Sequence, residues 1–272
     1  MKKKDLSKAY RILTSPIRKL PDFLIIGVAK GGTTSLHKYI NNHPKVIPST
    51  VKEPGYFLNG KYPNHSIYWY KSHFPLSNFI TRSNKLTGEG TPGYIHSKNA
   101  PNWIKSTMPQ VKLIALLRNP VTRAYSHFSM KMQKKGMKKS ELTPAFIKEV
   151  KRELEILRIK QSPDEPFNKI EPTGHFYLSG GIYVSSIKRW IDTFSRKQIL
   201  ILKSEDLFEK PEKTMQKVFN FLDLPDYKGD YPVYNGGNYL KLDSKINQEL
   251  SEFFKPYNES LSDYLEQDFN WI

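Results

Sequence analysis

A chain of 272 residues is long enough for one large core, and 43 Lys+Arg against 26 Asp+Glu give it a formal charge of +17. That balance suits an anionic ligand, a polyanionic acceptor, nucleic acid or an acidic membrane surface. The absence of cysteine excludes disulfides, thiol catalysis and thiolate metal sites, and the seven histidines are scattered with no H-E-x-x-H pair, so no metal is expected.

In chain order, the basic opening MKKKDLSKAYRILTSPIRK lacks the apolar stretch of a signal sequence, and residues 1–20 read as a basic N-terminal arm ahead of a single domain over 21–272. A strand is expected over 22–28 (DFLIIGV), then a Gly-rich turn and a helix over 34–42. Further strands are expected at 45–48 (KVIP), 85–89 (KLTGE), 111–117 (VKLIALL) and 198–203 (QILILK). Helical patterns fall at 101–107, 120–134, 142–160, 182–194, 211–222 and 244–265, several opened by Pro or Ser/Thr. The segment 161–180 is rich in Pro and Gly without periodicity and reads as a long surface loop. Short apolar runs alternating with helices predict an α/β fold, a central parallel β-sheet of about five strands flanked by helices. The runs FLIIGVA and LIALL fall far short of the roughly 20 residues of a bilayer span, so no transmembrane segment is expected.

The turn after the first strand, GVAKGGTTSL, keeps the Gly27…Gly32 spacing of a phosphate-binding loop. It puts Thr33 where the lysine normally stands and Lys30 inside the loop. Gly31 and Gly32 let backbone N–H groups approach a phosphate, and the helix start at Thr33, Thr34 and Ser35 adds its dipole. The strand over 111–117 ends in Arg118 instead of a Walker-B acid, so magnesium-ATP fits poorly. A phosphate anhydride neutralised by one lysine and backbone amides fits better. In LLRNPVTRAYSHF, Arg118 stands at a strand end and Ser126 two turns into the helix that Asn119-Pro120 opens, a pair able to bracket a second phosphate. Taken singly, the first loop also fits a glycine-rich turn with a surface lysine, and Arg118 fits a carboxylate partner. Side by side they suggest a nucleotide phosphorylated at two ribose positions.

On these motifs the sequence resembles the sulfotransferases that use 3′-phosphoadenosine-5′-phosphosulfate (PAPS). IIGVAKGGTTSL is similar to their 5′-phosphosulfate loop and LIALLRNPVTRAYSHF to their 3′-phosphate motif. The stretch from GGIYVSSIKRW to FNFLDLP is also family-like, so the resemblance runs from residue 22 to about 265. VKEPGYF is similar to the Lys-Glu-Pro-x-x-Phe segment of the heparan sulfate and related carbohydrate branch. The resemblance implies a P-loop nucleotide-kinase-like sulfotransferase fold, PAPS as co-substrate, PAP as product, and no metal. It makes Glu53 the base and Lys30 the stabiliser of the leaving phosphate, with Gly31, Gly32, Thr33, Thr34, Ser35, Arg118 and Ser126 holding the nucleotide. It sets Lys52, Glu89 and Tyr94 near the acceptor. Tyr183 is a candidate for stacking beside the nucleotide, although Tyr183 and Trp190 stand at the helical spacing of core packing.

Where the carbohydrate branch carries a basic Lys-Gly-Arg loop this chain reads YNGGNYLKLD; there Gly236, Gly237 and Asn238 are expected to form an anion nest with Tyr239 alongside. His37, His43, His73 and His127 lack the Lys-Thr-His context of the cytosolic branch, and His37 and His43 read as structural. The expected acceptor is an anionic or neutral glycan, with lipid, phenolic and peptide acceptors open. A small-molecule kinase would share the fold. Nucleic acid fits less well, because the lysines are spread over the whole chain. Eukaryotic members of the carbohydrate branch are Golgi-membrane enzymes, whereas a sequence with neither apolar span nor cysteine is expected to be a soluble bacterial-type enzyme of the cytoplasm, or a Golgi-lumen one if the chain is a trimmed form.

Overall fold

The computed structural model describes residues 3–58, 65–160, 177–234 and 242–271. Helix α1 (Lys3–Leu13) and a 3-10 turn (Ser15–Ile17) lead into β1 (Phe23–Gly27) and α2 (Thr33–Asn41). The short helices α3 (Ile67–Lys71) and α4 (Asn78–Thr81) precede β2 (Gly88–Gly90). Then follow α5 (Ala100–Thr107), β3 (Lys112–Leu117), α6 (Pro120–Lys134), α7 (Lys139–Lys160), α8 (Val184–Thr193) and β4 (Ile199–Lys203). Helices α9 (Ser204–Glu209), α10 (Pro211–Phe221) and α11 (Ser244–Leu265) complete the chain.

The four strands are all parallel, in the order β2-β1-β3-β4. Phe23 lies opposite both Gly88 and Lys112, and Leu113 opposite Ile199. A parallel sheet covered on both faces needs strands with continuous apolar runs, as FLIIG is and as KLIALL is after Lys112. Alternate residues feed two cores. Leu24, Ile26, Leu113 and Ala115 pack with Ile187 and Trp190 of α8 and with α5 and α11 on one face. Ile25, Ile114 and Leu116 pack with Leu36 of α2 and with Met215 and Phe219 of α10 on the other.

Two expectations change. The fifth strand at 45–48 does not form: Val46 makes a single parallel bridge to Leu86 and pairing stops there. Pro44 and Pro48 flank it, and neither has an N–H to extend a ladder. Residues 3–13, read as part of an arm, are helical. The chain beyond them is stitched to the body by Arg18, whose Nη1 donates to the Phe74 carbonyl at 2.6 Å and whose Nε donates to Thr14 Oγ1 at 2.9 Å. Of the segment read as a surface loop, residues 161–176 lie outside the described residues, and its end, Ser179–Gly181, is a buried 3-10 turn. Among the described residues no helix is long and apolar enough to cross a membrane.

Candidate active site

The carboxyl ends of all four strands open on one side. There β1 runs into the loop 28–32, where Lys30 (φ +70°) and Gly32 (φ +91°) both adopt the left-handed region. Glycine tolerates that conformation and lysine pays strain for it, which marks Lys30 as a position where a cation is held against backbone preference. Gly31 packs so closely on β3 that a Cβ there would lie 2.6 Å from the Leu116 carbonyl oxygen. Val28 N–H donates to the same carbonyl at 2.9 Å, and Ser204 Oγ donates to the Gly31 carbonyl at 2.7 Å. The loop is thus fastened to β3 and to the start of α9. No side chain caps α2, whose N-cap is Gly32, so its first N–H groups are left for a ligand.

Arg118 leaves the end of β3 and reaches across to that loop: Nη1 donates to the Lys30 carbonyl at 3.0 Å and Nε donates to Thr122 Oγ1 at 3.1 Å. Asn119 caps α6, its Oδ1 accepting from Val121 N–H and Thr122 N–H at 3.0 and 3.2 Å, and its own N–H donates to Glu205 Oε1 at 2.9 Å. Ser126, one face further along α6, looks into the same cleft.

Glu53 arrives from the third side. Its loop is pinned to the end of β2, where Gly90 N–H donates to the Lys52 carbonyl at 2.9 Å and Gly55 N–H to Thr91 Oγ1 at 3.3 Å. Thr91 Oγ1 in turn donates to Glu89 Oε2 at 2.7 Å, and Tyr70 OH donates to Glu89 Oε1 at 3.2 Å. The Glu53 carboxylate is half exposed and ion-paired with Lys52. The cleft formed between these strand ends has a volume of about 760 Å³, the size range of sites for nucleotide-sized ligands.

Lys30, Gly32, Thr33, Thr34, Glu53, Arg118 and Ser126 all line this one cleft. Gly31 lies in the same loop, and Lys52 stands beside the cleft through its ion pair with Glu53. Ser35 is turned away: its hydroxyl accepts from Tyr234 N–H at 3.2 Å and is fully buried. Glu89 and Tyr94, expected near the acceptor, are buried beneath the Glu53 loop, because the GEGTPGY segment is β2 and a following 3-10 turn packed under the short helices. Burial pushes the Glu89 carboxyl up to about 7, against the hydrogen bonds from Thr91, Tyr94 and Tyr70 that favour its charge. Tyr183 does not reach the cleft either. It is buried at the start of α8, and its hydroxyl donates to the Arg118 carbonyl at 2.8 Å, so it supports the arginine from below. Gly236, Gly237, Asn238 and Tyr239 lie outside the described residues.

The histidines have structural surroundings. His43 Nε2 meets the Pro225 carbonyl at 3.0 Å, and His37, lowered to about 4 by burial and then by Lys52, is bonded to Asn41. Ser204, Glu205 and Phe208 also line the cleft and were missed in the sequence, although ILK-SEDLF carries the same signal as the other strand ends: an apolar strand giving way to polar residues at a helix start.

A model of the sulfotransferase domain matches residues 20–231 of the chain. The chain belongs to that family. This sulfotransferase is 29% identical to a membrane-associated sulfotransferase of Dictyostelium discoideum, over 93% of this chain and 66% of that protein. It is 25% identical to the human heparan sulfate glucosamine 3-O-sulfotransferase 5, over 99% of this chain and 79% of that protein. It is 31% identical to the human bifunctional heparan sulfate N-deacetylase/N-sulfotransferase 3, over 83% of this chain but only 24% of that much longer protein. The chain therefore spans from about a quarter to two thirds of the length of several relatives it matches. A sulfotransferase structure from Alicyclobacillus acidocaldarius superposes with a TM-score of 0.69 at 22% identity, over 92% of this chain and 97% of that one. A mouse sulfotransferase complexed with PAP superposes with a TM-score of 0.51 at 15% identity, over 96% and 95%. These two likenesses show the shared fold.

Proposed function

We propose that this sulfotransferase moves the sulfuryl group from PAPS to a hydroxyl or amine of a glycan. The observation that carries the reading is the convergence of Lys30, Arg118 with Ser126, and Glu53 on one cleft at the ends of three adjacent strands. The residues present fit the donor: the uncapped start of α2 and the close-packed Gly31 make an anion cradle, and Arg118 with Ser126 offers donors for a second phosphate.

Transfer to a hydroxyl forms a new O–S bond as the S–O bond to the 5′-phosphate breaks. The acceptor proton goes to Glu53 and the bond's electron pair to the departing phosphate oxygen. Glu53 acts as general base, a contribution on the order of 10²–10⁴-fold. Lys30 faces the charge that grows on the phosphate, and the α2 N–H groups add fixed dipoles in the same direction. Arg118 and Ser126 orient the nucleotide so that attack is in line. Before acceptor arrives Lys52 pairs with Glu53; a sulfate or carboxylate on the acceptor competes for Lys52 and frees the base.

The acceptor class rests on the glycan named in several relatives, heparan sulfate, and on the +17 charge of the chain. The test is transfer of labelled sulfate from PAPS to a panel of polysaccharides, lipids and phenols, with wild type and Glu53→Gln compared in chelator. Glu53→Gln should lose about 10²-fold or more in kcat while keeping its affinity for PAP. Full rate in Glu53→Gln would remove Glu53 as the base, and turnover of ATP with magnesium in place of PAPS would assign the cleft to a kinase.

A further inference from the structure

Helix α1 is laid on the protein the wrong way round for a globular domain. Leu6, Tyr10 and Leu13 stand at i, i+4 and i+7, one stripe of the helix, and all three are exposed, Leu13 at 80%. The side carrying Arg11 is the one turned inward: Arg11 is half-buried, and after burial, the larger cause, it lowers the proton affinity of His73 just beyond α3. The apolar stripe is continued on the body. Ile17 is exposed and its carbonyl accepts from Ser77 N–H at 3.0 Å, and two residues on, in α4, Phe79 is 91% exposed beside an exposed Ile80. A soluble chain gains by burying such groups, so this surface is built to be covered.

We propose that α1 and the Phe79 turn together form a docking surface for an anionic lipid bilayer. The stripe is flanked by the exposed Lys8, and the sequence ahead of it is Lys2-Lys3-Lys4, with Asp5 the one acid in the first thirteen residues. An apolar ridge with cations on its shoulders suits the headgroup boundary, where Leu and aromatic side chains enter and Lys and Arg reach the phosphates. A second copy of the chain fits worse, since two bodies each carrying +17 repel. Residues 14–22 and 76–87 lead into the amino ends of β1 and β2, whereas the cleft is built at the carboxyl ends. None of the stripe residues lines the cleft, so docking covers no residue of the site.

Bulk positive charge alone could draw the protein to anionic vesicles, so the deciding variant keeps the charge. The full chain is sedimented with vesicles of phosphatidylserine and phosphatidylcholine and with phosphatidylcholine vesicles, as wild type and as Leu6→Ser/Tyr10→Ser/Leu13→Ser. Wild type should partition onto the mixed vesicles and weakly onto the neutral ones, and the triple variant should partition about tenfold or more weakly with an unchanged thermal midpoint. Equal partitioning of variant and wild type, or no wild-type binding to the mixed vesicles, overturns the proposal. So does a wild-type dimer in sedimentation velocity that the triple variant converts to monomer, which would give the stripe to a second copy.

Discussion

Glutamine at position 89 keeps the shape of the buried carboxyl and removes its charge. Burial raises Glu89 from 4.5 to about 7, so between those values the folded chain holds a proton that the unfolded chain has released. Stability contributed by this group therefore falls as pH rises through that window, and the loss is complete above about pH 7. At about 1.4 kcal/mol per pH unit, the span amounts to roughly 3 kcal/mol. His37, His96 and His127 act in the opposite sense. Burial is the first cause for each and lowers them to about 4, 3 and 3, so the unfolded chain takes up protons first as pH falls below 6.5, and stability falls towards acid. The two trends overlap near pH 5–6.5, which makes the wild-type profile alone undiagnostic. The difference between Glu89→Gln and wild type cancels the histidines. The hydroxyls of Tyr70 and Thr91 can donate to the amide oxygen or turn to accept from the amide nitrogen, so the pocket remains bonded. In urea unfolding from about pH 5 to 8, which samples about two units of that window, the variant should gain roughly 2.5 kcal/mol relative to wild type across the series. Parallel curves would refute the claim that a buried carboxyl is held uncharged under the Glu53 loop.

Lys30→Gly removes the loop cation while relieving a positive φ, so urea unfolding should show unchanged or slightly raised stability as the initial rate of sulfuryl transfer falls by about 10²–10³-fold. Arg118→Lys loses the planar fork that spans Lys30 and Thr122, and should raise KM for PAPS about tenfold with a smaller change in kcat, read from steady-state kinetics. Trp190→Phe deletes the indole N–H that donates to the buried Ile95 carbonyl at 3.1 Å. Orphaning that carbonyl should cost about 1–3 kcal/mol in urea unfolding.

The sheet was legible where strands carry a continuous apolar run of four or five residues. FLIIG, KLIALL and ILILK each announce a strand covered on both faces, and the turns that follow them carry Lys30, Arg118 and Ser204 to one edge. Legibility ended where local signals were short. KVIP, with Pro44 before it and Pro48 at its end, manages one bridge, and the strand expected at 85–89 forms only as the short GEG of β2, where Glu89 is the one side chain. The cleft residues followed from the rule that ligands gather at strand ends, but the rule does not tell a surface residue from one just beneath it. Glu89 in β2, Tyr94 in the 3-10 turn after it and Tyr183 at the start of α8 stand next to the right loops in sequence and are buried under them in space, because each side chain is turned into the core. Helix α1 was hidden by its lysines, which read as a solvated arm until the exposed stripe of Leu6, Tyr10 and Leu13 was seen together.

Arg118 hooks the carbonyl of Lys30, Ser204 hooks that of Gly31, and Tyr183 braces Arg118 from behind. Three strand ends are thereby joined crosswise, and the separation between the loop of Lys30 and the guanidinium of Arg118 is set by the fold itself. Such a caliper measures its guest: an adenosine donor lacking the ribose phosphate would satisfy one jaw only, and the other could not slide inward to compensate.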